Sequence, residues 1–510
     1  MAAETAARRI DLPAGTIEGR AADGVAVFRG VPYAAAPFGE NRFRAPQPVE
    51  PWDGIRDATV FGATSPQTPY PGPLGAILPT SEIAGTDILN LAVWAPDEDP
   101  AGSHPVFVWI HGGGLTRGAN SLDAYDGSRF AEQGVVVVAV NYRLGAEGFS
   151  VLDDAPRNLG LADLRAALEW VRENIAAFGG DPADVTVGGQ SAGGALTAAL
   201  LAMPDAETLF ARTIVQSGPL DAQPESEARR VTDAMAKHLG IAATREAFAA
   251  VTPERLLEAQ EHVLAGGSPL TSGPSFTLTI GGELVPENPR DALRSGVSAN
   301  LPLLIGTTTE EYRLWFVPTG RLRKISKLML LGARVAKRMP SSLVATFRDA
   351  RPGARPGEIL GAIVTELILR APAQDVADGR LTEGAATWIF EFAWRSPVES
   401  ADGDVLGAAH AVEIPFVFDN AETTDAAPLV GEAPPRSLAR SMHASWLTFI
   451  RSGRADWTEW DATRPVRVFD GADDPIALAP RDDERRALLE WEAGRRAASG
   501  TSRGAAEVPA

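Results

Sequence analysis

The stretch Val185-Thr186-Val187-Gly188-Gly189-Gln190-Ser191-Ala192-Gly193 decides the expected fold. A short β-branched run is typical of a buried strand, and the residues after the serine, Ala192 to Leu201, are small and helix-forming. Glycines on both sides of the serine allow a turn too sharp for side chains, and the serine hydroxyl then stands exposed above the sheet. The stretch therefore predicts a strand, a nucleophilic Ser191 and a helix, in that order.

A second glycine-rich stretch, His111-Gly112-Gly113-Gly114, follows the apolar run from Val106 to Ile110. When a serine on a strand-to-helix turn attacks an acyl carbon, backbone N–H groups of such a loop can bind the oxyanion that forms. The two motifs together favour a serine hydrolase.

The composition excludes several classes of protein. The chain has 510 residues, a formal net charge of −19 and no cysteine, which argues against a nucleic-acid partner and excludes a thiolate nucleophile or a cysteine-ligated metal. Met1 to Arg20 is interrupted by charges and lacks the apolar core of a secretory signal. Apolar runs such as Val135 to Val140 are too short to span a bilayer. We expect a cytoplasmic enzyme without stable membrane insertion.

Continuous apolar runs recur along the chain, as in strands that helices cover on both faces. An apolar stripe from Leu161 to Phe178 ends at Gly179-Gly180 and is typical of a crossover helix. These features predict an α/β fold with a central, mostly parallel, twisted sheet flanked by helices, in a single domain over residues 1–510. The predicted strands are Val106 to Ile110, Val135 to Val140, Val185 to Val187, Thr213 to Val215 and Leu301 to Ile305. The proline- and glycine-rich front, Gly30 to Gly54, predicts irregular structure.

The charge inverts in one segment. From Arg313 to Arg338 there are eight basic residues and no acidic one. We expect a basic helical insertion over the active site at about 313–345, with solvated charges; docking on a membrane surface or an anionic ligand is the alternative. The small, polar residues at about 495–510 predict a frayed tail.

A serine hydroxyl needs a neutral imidazole to accept its proton, and the imidazole needs a carboxylate to hold its tautomer. In this type of hydrolase the order is serine, acid, histidine, and only His410 and His443 lie far enough along the chain. His443 falls in an amphipathic helical pattern, whereas His410 lies in a small-residue loop and is the candidate base. Glu310 and Glu311 both follow the predicted strand that ends at Ile305, and spacing does not separate them.

Several motifs resemble those of the type-B carboxylesterases, over about Gly30 to Phe469. Besides the serine motif these are Pro32-Tyr33, Arg42-Phe43, Asn141-Tyr142-Arg143-Leu144-Gly145, Phe178-Gly179-Gly180-Asp181-Pro182 and Gly407-Ala408-Ala409-His410 with Glu413-Ile414-Pro415. The resemblance implies the α/β-hydrolase fold with helical insertions, Glu311 as the acid and His410 as the base. It also implies an oxyanion hole made by the backbone amides of Gly113, Gly114 and Ala192.

Further residues are weaker candidates. The resemblance suggests hydrogen-bonding roles near the catalytic histidine for Ser217 and Glu413. Four apolar residues are candidates for the substrate pocket, with core packing as the alternative; they are Leu115, Phe149, Trp315 and Phe316.

The sequence departs from the family pattern at two positions where glutamate is usual. Gln190 precedes the nucleophile, and Thr86 stands in Gly85-Thr86-Asp87-Ile88-Leu89. Because an unpaired buried carboxylate is costly, we expect both changes to belong to one altered buried polar network.

The expected function is hydrolysis of neutral, small to medium-sized carboxylic esters through a covalent acyl-enzyme. The triad and the backbone amides account for this chemistry, so no metal and no organic cofactor is expected. The alternatives are an amidase or carbamate hydrolase with the same triad, and a non-catalytic binding protein on the same fold.

Overall fold

The structure is a computed structural model that describes residues 6–97, 102–265 and 275–498. Within these ranges its strands are β1 (Ala6–Leu12), β2 (Gly15–Ala22), β3 (Val25–Pro32), β4 (Ile55–Asp57), β5 (Asn90–Pro96), β6 (His104–Ile110), β7 (Val136–Val140), β8 (Gly180–Gln190), β9 (Arg212–Gln216), β10 (Leu303–Thr308), β11 (Thr387–Phe392), β12 (Ser396–Glu399), β13 (Val405–Gly407), β14 (Pro465–Phe469) and β15 (Ile476–Leu478). All except β12 and β13 join one large sheet, in the spatial order β1-β2-β3-β5-β7-β6-β8-β9-β10-β11-β14-β15, with β4 beside β2.

The middle of this sheet is parallel. Every neighbouring pair from β7 to β14 in the spatial order is parallel, whereas β1, β2, β3, β5 and β15 are added antiparallel at the two sides. The predicted central, mostly parallel sheet is confirmed, and the predicted apolar runs fall in β6 to β10.

The helices are α1 (Ser128–Ala131), α2 (Gly145–Phe149), α3 (Leu159–Asn174), α4 (Ala192–Leu201), α5 (Glu225–Leu239), α6 (Arg245–Ala249), α7 (Pro253–Leu264), α8 (Pro289–Arg294), α9 (Arg313–Phe316), α10 (Arg321–Lys324), α11 (Lys327–Ala336), α12 (Ser341–Asp349), α13 (Pro356–Thr365), α14 (Ala371–Thr382), α15 (Ile414–Val417), α16 (Ala427–Val430), α17 (Arg436–Ser452) and α18 (Asp482–Ala498). A π-helical turn, Glu366–Arg370, joins α13 to α14. The predicted crossover helix is α3 with a 3-10 turn, and it ends at Gly179, whose φ of +80° suits glycine. No helix within the described ranges has both the length and the apolar character needed to cross a bilayer.

Strand β6 shows how the sheet is buried on both sides. Successive side chains of a strand point to opposite faces. Val106, Val108 and Ile110 join one hydrophobic cluster together with residues of α3 and α4, and Phe107 and Trp109 join a second cluster with residues of α17. Helices therefore cover both faces, which explains why the strands are apolar without alternation.

The N-terminal part of the chain differs from the expectation. Residues Ala6 to Pro32 form antiparallel strands that the sequence analysis did not predict, and the expected irregular front begins only after Pro32. Helix α18 continues to Ala498, and residues 499–510 of the expected tail lie outside the described part.

A buried ion pair joins the loop after β7 to the crossover helix. Arg143 Nη2 lies 2.6 Å and Nε 2.8 Å from the carboxylate oxygens of Asp163, and both side chains are buried. Arg143 Nη1 also donates to the carbonyl oxygen of Arg44 at 2.7 Å. Arg143 therefore joins three segments, which are the loop after β7, helix α3 and the loop that contains Arg44.

We predict that Asp163→Asn lowers the free energy of unfolding by about 3–5 kcal/mol, because it leaves the buried Arg143 guanidinium without its counter-charge. The matched control is Glu227→Gln, which breaks the exposed Arg230–Glu227 pair and is expected to cost about 0–1 kcal/mol. Urea unfolding followed by tryptophan fluorescence measures both. Equal losses in the two variants would contradict the structural role of the Arg143–Asp163 pair.

Candidate active site

The candidate site lies where four neighbouring strands end. Strands β6, β8, β9 and β10 are adjacent and parallel, so their carboxyl ends meet at the same edge of the sheet. The glycine-rich loop follows β6, Ser191 follows β8, Ser217 follows β9 and Glu311 follows β10. Parallel pairing thus brings together groups that are far apart in the sequence.

Ser191 sits on a strained turn between β8 and α4. Its backbone has φ +58° and ψ −122°, a conformation rare for residues with a side chain. The turn is fixed by a hydrogen bond from Ser191 N to Gln216 O at 2.9 Å. A Cβ on Gly193 would lie 2.0 Å from Ile110 O, so only glycine allows α4 to start this close to β6. This geometry leaves the Ser191 side chain partly exposed at the sheet edge.

The loop after β6 presents free backbone amides. Gly113 has φ +115°, and a Cβ there would lie 2.0 Å from Arg117 O, so the loop requires glycine at this point. In the described part of the chain, the N–H groups of Gly113, Gly114 and Ala192 donate to no acceptor. These are the three amides expected to form the oxyanion hole.

His111 supports this loop from below. Its ring stacks on Tyr142, with the ring centroids 4.6 Å apart, and its Nδ1 lies 2.8 Å from Gly112 O. Burial lowers the pKa of His111 to about 4, so the imidazole is neutral at physiological pH. His111 therefore adds no charge beside the free amides.

Glu311 is fully buried, and the polar contacts of its carboxylate are short. Its Oε1 accepts hydrogen bonds from Ser217 Oγ and from Thr308 N, each at 2.7 Å, and its Oε2 lies 2.5 Å from His410 Nδ1. His410 is also buried. The carboxylate is thus fixed by two donors and in turn fixes the orientation of the imidazole.

Glu310 has a different position. Its carboxylate is paired with Arg395 near the surface and accepts a hydrogen bond from Ala408 N at 3.2 Å. The structure therefore separates the two carboxylates that spacing left open, and it places Glu311 against His410.

Ser191 and His410 line one cavity, together with Gly112, Gly113 and Gly114. Ser191 Oγ has no hydrogen-bond partner among the described residues. His410 Nε2 instead lies 3.3 Å from Gln190 Nε2. The hydrogen bond between a catalytic serine and its histidine is often long in an unliganded enzyme and tightens when a substrate binds.

Two expectations about polar neighbours have opposite outcomes. Gln190 is buried and touches His410, but Thr86 is exposed, so the two residues do not form one buried network and that prediction was wrong. Ser217, in contrast, reaches the site through its hydrogen bond to Glu311. Nothing in the structure explains threonine at position 86.

Glu413 is a second buried carboxyl beside the site. Its Oε1 lies 3.4 Å from Gln216 Nε2, and its Oε2 has no hydrogen-bond partner in the described part of the chain. Burial, and to a smaller extent the negative charge of Glu311, raise the pKa of Glu413 to about 7.

The cavity has a volume of about 480 Å³, within the usual range for small-molecule sites. Trp315 lines it, and its ring centroid lies 4.9 Å from that of His410. Most of the wall comes from residues that the sequence analysis did not identify, including Tyr70, Leu74, Leu78, Tyr125, Phe276, Ile414 and Leu429. Apart from Ile414, which belongs to the Glu413-Ile414-Pro415 motif, these residues lie in loops and short helices without a recognisable motif.

Three of the pocket candidates belong to the core instead. Leu115, Phe149 and Phe316 are buried and do not line the cavity in the described part of the chain. Phe316 packs edge-on against Tyr312, with ring centroids 5.7 Å apart, and the Phe149 ring contacts Gly160. Core packing, the alternative considered for these side chains, accounts for them.

The other candidate histidine is in the core. His443 lies in α17, its Nδ1 is 2.8 Å from Val417 O, and its Nε2 is 2.8 Å from Gln133 Nε2.

Among the described residues no group of three or more histidine or carboxylate side chains is arranged to hold a metal ion.

Known proteins are similar to this chain in sequence and in fold. The profile of the carboxylesterase family matches residues 6–469. The para-nitrobenzyl esterase of Bacillus subtilis (strain 168) is 35% identical over 491 residues, which cover 93% of this chain and 97% of that protein. The probable N-octanoylanthranilate hydrolase of Rhodococcus erythropolis is 32% identical over 471 residues, covering 89% and 95%.

Among solved structures, the Geobacillus stearothermophilus carboxylesterase EST55 at pH 6.2 superposes with a TM-score of 0.83. It is 34% identical and covers 94% of this chain and 99% of its own. With the fold, the family profile and these relatives in agreement, the chain belongs to the carboxylesterase family and is a carboxylic ester hydrolase.

Proposed function

We propose that the protein hydrolyses carboxylic esters with Ser191 as nucleophile, His410 as general base and acid, and Glu311 as the group that orients His410. The observation that carries this proposal is the buried 2.5 Å contact between Glu311 Oε2 and His410 Nδ1, at the cavity that Ser191 also lines. With Nδ1 held by the carboxylate, Nε2 is the nitrogen available to accept the serine proton.

The first step is attack of Ser191 Oγ on the ester carbonyl carbon. The hydroxyl proton passes to His410 Nε2, and the carbonyl oxygen becomes an oxyanion. The free N–H groups of Gly113, Gly114 and Ala192 would bind this oxyanion, and each well-aimed donor of this kind contributes about 2.7–4 kcal/mol to transition-state stabilisation.

The tetrahedral intermediate then collapses. His410 Nε2 donates its proton to the leaving alkoxide, the ester C–O bond breaks, and the acyl group stays on Ser191. A water molecule gives a proton to His410 and attacks the acyl carbon. The imidazolium then returns this proton to Ser191 Oγ as the bond between Oγ and the acyl carbon breaks and the acid leaves. Glu311 stabilises the imidazolium that forms in both steps.

The cavity favours a substrate of small to medium size that carries no negative charge. Its described lining is mainly apolar, and the one arginine in it, Arg117, is neutralised by Glu261 at 3.0 Å. An anionic acyl or alcohol group would lose hydration on entering without gaining a free counter-charge from this pair.

Amide hydrolysis is the second candidate, because one relative is named for an N-octanoyl substrate. The same triad would act, but the leaving nitrogen depends more strongly on a proton from His410 than an ester alkoxide does. The proposal therefore expects faster turnover of a p-nitrophenyl ester than of the p-nitroanilide of the same acid.

We predict that Ser191→Ala abolishes hydrolysis of p-nitrophenyl butyrate and of butyryl p-nitroanilide, because no other described hydroxyl group occupies the strand-to-helix turn. Release of nitrophenol or nitroaniline measures activity, and circular dichroism confirms that the variant is folded. Near-normal turnover by the folded variant would exclude Ser191 as the nucleophile.

Glu310→Gln and Glu311→Gln form a matched pair. We expect Glu311→Gln to lower kcat on the order of 10⁴-fold, because a neutral amide no longer stabilises the imidazolium and permits the wrong tautomer. Glu310→Gln removes a carboxylate that contacts Arg395, Arg313 and Ala408 N, whereas His410 contacts Glu311, so the loss of kcat is expected to be much smaller. The reverse order of the two kcat values would move the acid role to Glu310.

Glu413 predicts a pH-dependent stability. The carboxyl group of Glu413 has a pKa of about 7 in the folded protein, whereas in the unfolded chain it releases its proton near its ordinary pKa of 4.5. The stabilisation that the neutral, buried Glu413 gives to the folded protein is therefore complete below about pH 4.5 and is lost as the pH rises through about 7. Glu413→Gln stays neutral, so its Tm relative to the wild type should rise from about pH 5 to about pH 8. A Tm difference that does not change with pH would contradict the burial of an ionising Glu413.

A further inference from the structure

Helix α11 leaves an apolar stripe uncovered. Leu328, Leu331 and Val335 are spaced i, i+3 and i+7 and therefore lie along one side of the helix. Together with the neighbouring Met329 they are between 47% and 76% exposed. These four are among the large apolar side chains that are exposed to solvent in the described part of the chain, and all four lie on one helix.

The opposite side of α11 is anchored to the protein. Leu330 packs against a hydrophobic cluster that includes Leu343 and Phe347. The helix begins at a defined cap, where Ser326 Oγ accepts a hydrogen bond from Met329 N at 3.2 Å. Because the side of α11 that carries Leu330 packs on the protein, the stripe faces solvent.

Unpaired cations accompany the stripe. Lys327 and Arg334 are seven residues apart and follow one flank of it, and Lys337 and Arg338 come directly after the helix. The nearby Arg323 is paired with Asp404 at 2.8 Å. In the described part of the chain no carboxylate lies within 4.0 Å of the four other cations.

The basic surface is local. The chain as a whole carries −19, yet no acidic residue occurs between Glu311 and Asp349. Charges in physiological salt are screened over about 8 Å. An anionic surface in contact with α11 is therefore attracted by the nearby cations, while the negative charges on the rest of the protein are largely screened.

The combination of charge and apolar area selects one kind of occupant. A second copy of the chain would bring the same cations against each other in a two-fold interface. A nucleic acid would pair with the cations and leave the stripe in water. An anionic lipid surface satisfies both, because its phosphates meet the lysine and arginine groups while the leucines enter the boundary between headgroups and acyl chains.

We propose that α11 docks the protein on anionic lipid surfaces, with Leu328, Leu331 and Val335 entering the interface and the flanking cations binding lipid phosphates. No residue of α11 lines the cavity that holds Ser191 in the described part of the chain. The docking surface is thus separate from the proposed catalytic residues, and the docking proposal does not depend on them.

The test is co-sedimentation of the full chain with vesicles of phosphatidylcholine, alone or mixed in equal parts with phosphatidylglycerol. We expect binding to the mixed vesicles only, and weaker binding as salt is raised. Leu328→Ser, Leu331→Ser and Val335→Ser together should lower the partition coefficient at least about tenfold. Lys327→Gln with Arg334→Gln should lower it about thirtyfold.

The matched control is Ile476→Ser with Leu478→Ser, which removes two exposed apolar side chains from β15 and should bind vesicles as the wild type does. All variants should keep the wild-type rate on p-nitrophenyl butyrate. Failure of the wild type to bind mixed vesicles would overturn the proposal, as would binding that persists in the serine variant. A dimer of the wild type that dissociates in the serine variant, seen by light scattering, would assign the stripe to a second copy and equally overturn it.

Discussion

The parallel pairing of β6, β8, β9 and β10 is the constraint on which the site depends. Ile110 is level with Gly189, Gly189 with Val215, and Val215 with Ile305, so the four strands reach the sheet edge together. A one-residue slip in any pair would turn the following loop toward the opposite face. The close packing of Gly193 on Ile110 makes this register depend on side-chain size as well as on hydrogen bonds.

Burial gives the residues at this edge their properties. Glu311 is out of contact with water, yet its charge is balanced by hydrogen bonds from Ser217 Oγ and Thr308 N and by His410. Glu413 is also buried, and its burial, with the negative charge of Glu311 as a smaller cause, raises its pKa to about 7. The two buried carboxyl groups differ in their hydrogen bonding, since Glu413 Oε2 has no partner in the described part of the chain.

Local patterns predicted the centre of the fold and the residues at the strand ends. The continuous apolar runs of β6 to β10, the small helix-forming residues of α4 and the apolar stripe of α3 are visible in the sequence, and Ser191, Gly113 and His410 stand in recognisable motifs. The choice between Glu310 and Glu311 needed either the family resemblance or coordinates, because both follow the same strand. The cavity wall could not be predicted: Tyr70 and Leu429 reach it through long-range packing, whereas Phe149 and Phe316, equally apolar, pack into the core.

The proposed catalysis depends on Ser191 Oγ forming the bond to the acyl carbon, with His410 accepting its proton and Glu311 orienting His410. The most direct measurement is peptide mapping by mass spectrometry after reaction with a p-nitrophenyl alkylphosphonate, in which serine oxygen displaces nitrophenolate from phosphorus. We expect one adduct per chain, on the peptide that contains Ser191, and much slower labelling in Glu311→Gln. An adduct on another residue, or labelling of Glu311→Gln at the wild-type rate, would contradict the account.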